Sequence, residues 1–316
     1  MKKVFTLLMM VCTIFAVQAK DISGNQDLKK EQRFLNAAYD KINVTADFNV
    51  NVVYAISPKL EVEAESNLLQ YIVTEVKGSS LNISVQKKVR LANNFPITIY
   101  VAMPTISKFL YTGNGTITVD GIPSEKMEMV FNGKGSCQWA NLKTGSWKIT
   151  ANNSFKLNFN DMLCGGTKLV LNDNAAVNFA RVQFEKLDLT YNTVENSQFI
   201  GVQTEGITIH GNAAGSMTFT GFAGKDVNAT LVSTGQVNMS GTAKNVTVSA
   251  SNAAGFHAID LAAEKAKVVN SGTADVEVSA STSLDANISS TGSVYYKGTP
   301  KIKIANTGTG QILNKN

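Results

Sequence analysis

Two histidines, two cysteines beyond residue 19 and a few carboxylates around one arginine are the side chains that could carry covalent or proton chemistry here. His210-Gly211-Asn212 is the nearest approach to the Gly-His-Gly of some polysaccharide hydrolases. Its place is one where neighbouring units carry plain asparagine, so His210 reads as a turn residue. Asp161, Asp173, Glu185, Asp188 and Glu195 flank Arg181. A glycosidase needs two carboxyl groups held across one bond, and these five fall at scattered phases of the pattern described below. Glu185 and Glu195 would meet only if their loops bent unusually. A lyase needs carboxylates for Ca²⁺ and a base to take the proton, and beyond Ile106 the one arginine is Arg181. His257 shares the inward phase of Cys137, Leu157 and Val237 and reads as a core histidine. Cys137 reads as a small buried thiol, so no zinc set assembles. Gly165-Gly166-Thr167-Lys168 lacks phosphate-loop spacing, and the Gly-rich nonapeptide of Ca²⁺-binding β-rolls is absent. The residues therefore point to no catalytic site, no metal and no cofactor, and to a protein that is not an enzyme.

Binding chemistry has a better candidate. Gln138, Asn158, Asn178, Gln198, Thr218 and Asn238 recur at one phase, preceded by Thr118 and followed by Ala258. Amide side chains offer both donors and acceptors. A row of them, uncharged and without an aromatic platform, suits an extended polymer or another protein surface. It serves equally as a solvated ladder supporting a sheet. Tyr295 and Tyr296 are the nearest aromatic candidates for sugar stacking.

Such a row exists only if something places every twentieth residue alike. Trp139, Phe159, Phe179, Phe199, Phe219, Met239 and Ile259 are spaced twenty apart, with Val119 before and Val278 after. Met129, Ile149, Leu169, Leu189, Ile209 and Ala229, continued by Val248 and Val268, keep the same beat. So do Ile122, Leu142, Met162, Val182, Val202 and Phe222. A fixed period with apolar residues at fixed phases marks stacked repeats. Each unit reads strand, tight turn, strand, looser turn. Asn132, Asn152, Asn172, Asn192, Asn212 and Asn252 fall in the tight turn, where asparagine tolerates positive φ and can form a ladder between coils. One coil alone cannot offset a backbone ordering cost of about 1–2 kcal/mol per residue; stacking lets each coil pair on both sides. The expected fold is all-β, a right-handed parallel β-helix of about twenty residues per coil, filling residues 106–316.

Lys2 and Lys3, an apolar run from Val4 to Val17 and the small Ala19 make residues 1–19 a secretory signal peptide. Cys12 lies inside that run after Val11, which argues against lipoprotein cleavage. No other stretch has the roughly twenty apolar residues of a membrane span. The mature chain reads as exported, to the periplasm, the outer-membrane surface or the exterior. Loss of Lys2 and Lys3 lowers the net charge from +5 to +3. With arginine only at positions 33, 90 and 181, nucleic acid is no expected partner. Cys137 and Cys164 are too few for a disulfide framework. Residues 20–38 are polar and lysine-rich and read as a linker. Residues 39–105 carry short alternating runs without the twenty-residue beat and read as a β-rich N-terminal cap or irregular first coils.

The order of several motifs resembles a known family. Tyr39-Asp40-Lys41-Ile42-Asn43-Val44, Phe48-Asn49-Val50-Asn51-Val52-Val53 and Leu81-Asn82-Ile83-Ser84-Val85 open it. Ile97 to Pro104, the turn Gly113-Asn114-Gly115, Val294 to Pro300 and Asn306 to Gly310 complete it. In this the chain is similar to the autotransporter-adhesin head GIN domain family of exported Bacteroidetes proteins, although several later turns lack the Gly-Ser-Gly that the family favours. The resemblance implies an exported β-solenoid, and adhesion through the family's name; it brings no catalytic residues. The expected function is a non-catalytic adhesin-like or structural module of the cell envelope, with a surface glycan or protein as partner. The alternative is a polysaccharide-binding or polysaccharide-cleaving β-helix. A third option is end-to-end self-assembly, and the oligomeric state stays open.

Overall fold

Alternating apolar and polar residues put one face of each strand inward, and the twenty-residue beat puts like residues above one another. The computed structural model describes residues 19–316; the signal segment read at 1–19 lies outside them save for Ala19. The chain is 67% strand and forms a β-solenoid of about ten turns with roughly twenty residues per coil. Neighbouring coils pair in parallel and in register, as in Leu157↔Val177, Phe159↔Phe179 and Leu169↔Leu189. Among the described residues the one helical turn is the short 3₁₀ segment Leu69–Tyr71.

Each coil has three sides where two strands were expected. In the coil of residues 142–161, side A carries Leu142 and Thr144 inward. Side B carries Trp147, Ile149 and Ala151, and side C carries Phe155, Leu157 and Phe159. The inward alternation breaks at Gly145–Ser146, at Asn152–Ser154 and at Asn160–Asp161, and these breaks are the corners. The C-to-A corner places one residue per coil in the left-handed region: Gly121, Asn141, Asp161, Arg181, Gly201 and Gly221. Glycine, asparagine and aspartate enter that region at low cost. Arg181, with φ of 55°, does not enter it cheaply. Its guanidinium is held by both oxygens of Asp161, at 2.6 and 2.7 Å.

At the B-to-C corner the asparagines form a ladder. Asn152, Asn172, Asn192 and Asn212 each donate to the asparagine one coil below, at 2.7, 2.7, 3.0 and 2.9 Å. Positive φ, expected at these asparagines, falls one residue later, at Gly133, Asn153 and Asp173. The ladder residues keep ordinary backbone and use the side chain instead; Asn252, with φ of 55°, is of the turning kind.

The beat loses one residue at the corner before Gly241, where Phe222 pairs with Gly241 and Ala229 with Val248. Because side chains alternate with period two, a one-residue loss exchanges inside for outside. Three expectations are corrected by it. Ala258, expected outward, is buried and continues the column of Phe219 and Met239; Ile259, expected in that column, is half-exposed. His257, expected inward, faces out beside Asn238, and Phe256 takes the inward place. Later coils shorten again, with Val276 pairing Val294 and Ser283 pairing Lys301.

The N-terminal end is built out of chain order. Lys41–Thr45 and Asn49–Tyr54 form a coil directly beneath Lys108–Thr112 and Thr116–Asp120. Beneath that lie Ser80–Val85 and Thr98–Met103, also parallel. The stack then stops on antiparallel strands: Ile72–Lys77 on Ser80–Val85 and Lys59–Glu65 on Thr98–Met103. Residues 20–38, expected as a linker, supply two more strands. Leu28–Arg33 pairs antiparallel with Lys59–Glu65, and Lys20–Ser23 pairs with Val89–Ala92. The outermost strand reads Leu-Lys-Lys-Glu-Gln-Arg, a charged edge that resists further pairing.

Glu65 fastens this N-terminal segment. Its buried carboxylate accepts from the backbone of Gln26 at 2.7 Å, and from the backbone and side chain of Asn94 at 2.8 and 2.7 Å. Burial alone would raise its pKa. The hydrogen bonds from Asn94 and Gln26 outweigh burial and hold it below the ordinary value of 4.5. A lowered carboxyl pKa contributes stability that is complete above the unfolded value and is lost as pH falls through the folded one. Amide exchange of residues 20–33 is therefore expected to accelerate below about pH 4.5 before that of the central coils. Glu65→Gln should produce the same release at neutral pH, and equal protection in variant and parent would contradict this role.

Candidate functional site

Side C positions the amide row. Its strands alternate Cys137, Trp139, Leu157, Phe159, Val177 and Phe179 inward, so the residues between them must face out. Thr118, Gln138, Asn158, Asn178, Gln198, Thr218 and Asn238 follow one another through successive register pairs. Gln138, Asn178, Gln198 and Thr218 are exposed, and Asn158 and Asn238 half-buried. Coils are about 4.8 Å apart, so Gln138 to Asn238 spans five steps, roughly 24 Å along the axis.

The row differs from the turn ladder in one respect that matters. The turn ladder is closed, each amide donating to the next. Among the described residues the side-C row closes only once, Asn178 donating to Asn158 at 2.9 Å. Its other amides keep their hydrogen-bonding capacity for water or a partner.

The row runs further than expected. Asn51 and Tyr100 precede Thr118, and His257, Glu277 and Tyr295 follow Asn238. The signal missed was the one-residue loss near Gly241, which moved Ala258 out of the row and His257 into it. His257 Nε2 lies 2.9 Å from Gln236 Oε1, and Nδ1 is 3.6 Å from Glu277. The two tyrosines are no bare sugar platforms. Lys30 sits 3.5 Å from the ring centre of Tyr100, and Lys315 sits 4.1 Å from that of Tyr295. Tyr100 donates to Glu63 at 2.6 Å, and its own pKa is pushed up to about 12 chiefly by that bond.

The residues weighed for catalysis do not converge. Asp161 is paired with Arg181 at the C-to-A corner. Asp173 accepts from the Asn153 backbone at 3.0 Å, within the B-to-C turn. Glu185 stands at the A-to-B bend, Asp188 on the outer face of side B, and Glu195 in the B-to-C turn. His210, expected in a turn, lies within the strand Gln203–Gly211, outward beside Thr190 and Thr230. Cys137 and Cys164 are buried and unpaired on sides C and A. Burial drives both thiols far from reactivity, Cys164 up to about 12. Among the described residues no three His, Cys, Asp or Glu side chains gather closely enough to hold a metal ion. None of the described helices is long and apolar enough to cross a membrane.

Residues 38–300 match the family model described as "Putative auto-transporter adhesin, head GIN domain". The chain belongs to this family. Among solved structures it is similar to a putative adhesin from Parabacteroides distasonis, at 17% identity over 93% of this chain and 100% of that one, with a TM-score of 0.40. A putative lipid binding protein from the same species is 20% identical over 94% and 100%, at 0.37. A putative adhesin from Bacteroides fragilis is 17% identical over 93% and 99%, at 0.34. No curated protein matches this chain significantly.

Proposed function

We propose that this head GIN domain protein is an exported, non-catalytic adhesin-like module of the cell envelope that holds an extended polar polymer along side C. A cell-surface glycan is the partner this surface suits best. The observation that carries the reading is the contrast between the two amide rows. The turn ladder links each amide to the next and serves the fold, whereas the side-C row is largely exposed and leaves most of its donors and acceptors open. Family membership supports an adhesin-like role, and the signal segment at residues 1–19 supports export. Asp161 lies at the C-to-A corner, Glu185 at the A-to-B bend, Asp188 on side B, and Asp173 and Glu195 at the B-to-C corner, a spread that favours holding over cutting.

A polymer lying along the solenoid axis meets one amide per coil, so affinity accumulates from many weak bonds. Each net hydrogen bond is worth about 0.5–1.5 kcal/mol. Replacing Asn158, Asn178 and Gln198 together by alanine is expected to weaken retention of a bound neutral glycan by about tenfold or more. Melting should stay close to the parent's, because all three side chains point outward. Unchanged retention by the triple variant would overturn side C as the contact surface.

A further inference from the structure

Charge on this solenoid is sorted by side. Over the coils that carry Thr118, Gln138, Asn158, Asn178 and Gln198, that row is uncharged. Side B of the same coils carries Lys108, Glu128, Lys148, Lys168 and Asp188 in one axial row, with Lys41 directly beneath Lys108. Lys126 and Lys186 stand in the adjacent row. Six lysines thus face two carboxylates. Glu128 is already shared between Lys108 at 2.8 Å and Lys148 at 3.3 Å. Lys41, Lys126, Lys168 and Lys186 form no ion pair among the described residues. The row from Lys41 to Lys168 covers four coil steps, about 19 Å at the spacing of paired strands.

The surface beneath the lysines is concave. A groove of about 660 Å³ lies between Lys41, Lys108, Lys126 and Lys148, lined also by Ser107, Glu128 and Ser146, with the buried Met127 and Trp147 behind it. A second, of about 670 Å³, continues past Trp147 to Lys168 and Lys186 and ends beyond them on Asp188, Asp226 and the paired Glu205 and Lys225, so the excess of lysine lies between Lys41 and Lys186. A third outer row on this side, Leu110, Val130, Thr150 and Val170, is half-buried and apolar except at Thr150. It lies flat in the sheet and offers no protruding side chain to insert into a bilayer. Arginine, the bidentate reader of phosphate, is missing from these rows. What the surface fits is a linear chain that carries anionic groups at intervals and has a modestly apolar body.

We propose that side B, from Lys41 to Lys186, is a second binding surface that takes a linear acidic polysaccharide, one bearing carboxylate or sulfate groups, laid along the solenoid axis. This surface is separate from the amide row of side C, and either can fail without the other. Its attraction is ionic, so it must weaken with salt, since exposed charges are screened within about 8 Å at physiological ionic strength.

The test is retention of the mature chain on immobilised heparin and on polygalacturonate, with dextran as the neutral control, at low and high salt. The parent should bind both acidic polymers at about 50 mM salt, release them by about 500 mM, and ignore dextran on this side. Lys126→Glu with Lys148→Glu and Lys168→Glu should lower acidic-polymer affinity by tenfold or more. The milder Lys148→Gln with Lys168→Gln should lower it several-fold without the burden of added negative charge. The side-C triple alanine variant should bind heparin and polygalacturonate like the parent. Absence of binding at low salt, or unchanged binding by the lysine variants, would overturn the proposal. So would equal or tighter binding to duplex DNA or to phosphatidylserine vesicles, because the surface would then not select an acidic polysaccharide.

Discussion

Truncating Phe179 to alanine is expected to destabilise the centre of the solenoid by about 3–5 kcal/mol, the usual cost of emptying a buried phenylalanine site. Phe179 is 1% exposed. Its ring lies 5.2 Å from that of Phe159, 5.6 Å from Phe199, and edge-on at 5.3 Å to Phe184. Each such pair adds about 0.5–1.5 kcal/mol beyond simple burial, so the loss should sit at the upper end of that range. The coils above and below are fixed by their own ladders and cannot collapse into the gap. In a stacked array the stability is a sum of unit and neighbour terms. A defect in the middle should therefore also uncouple the two halves, giving a lower denaturant midpoint and a broader or two-step transition. A single transition at the parent's midpoint would contradict continuous core stacking.

A larger loss is expected from Gly165→Val, and almost none from Gly166→Ala. A Cβ at Gly165 would stand 1.6 Å from the backbone oxygen of Gly145, which cannot move aside like a flexible side chain. Gly145 is itself confined, with a Cβ there 2.6 Å from the backbone oxygen of Glu125. At Gly145 and Gly165 the A-to-B bend thus brings the coil below too close for a side chain, although Glu125 and Glu185 occupy the same place in the flanking coils, and Gly165→Val should prevent the coils from stacking there. The readout is the yield of soluble, cooperatively unfolding protein. At Gly166 an added Cβ meets nothing within 4 Å, so Gly166→Ala should stay within about 0.5 kcal/mol of the parent. The Gly165-Gly166 pair, weighed in the sequence as a phosphate loop, is explained by this approach at one position and by open space at the other. Similar tolerance at both positions would contradict the bend.

Much of this was readable from residue types. The columns of Phe159 and Leu169 had to be inward because their phases stay apolar coil after coil, whereas the other strong repeats are amides. The amide row between them had to be outward by the same alternation. Alternation also explains what was misread. Once a residue is lost near Gly241, the stretch Phe256-His257-Ala258-Ile259 has apolar residues at both phases, so period two alone cannot say which face is buried. The third side escaped notice because Gly145–Ser146 interrupts the alternation inside one continuous strand. Leu28–Arg33 escaped because an outermost strand exposed on both faces has no alternation to show. The lysine row was present at multiples of twenty in Lys108, Lys148 and Lys168, with Glu128 between the first two, but it acquires meaning only beside Lys126 and Lys186, which stacking brings next to it.

The most direct test of binding without cleavage is to incubate mature Lys20–Asn316 with a panel of neutral and acidic host and bacterial polysaccharides. Both retention of protein and the appearance of new reducing or unsaturated ends are assayed. Retention of at least one glycan with no new ends is the expected result. New ends would contradict it and direct attention to the carboxylates around Arg181, and the absence of retention across the whole panel would contradict glycan adhesion along side C.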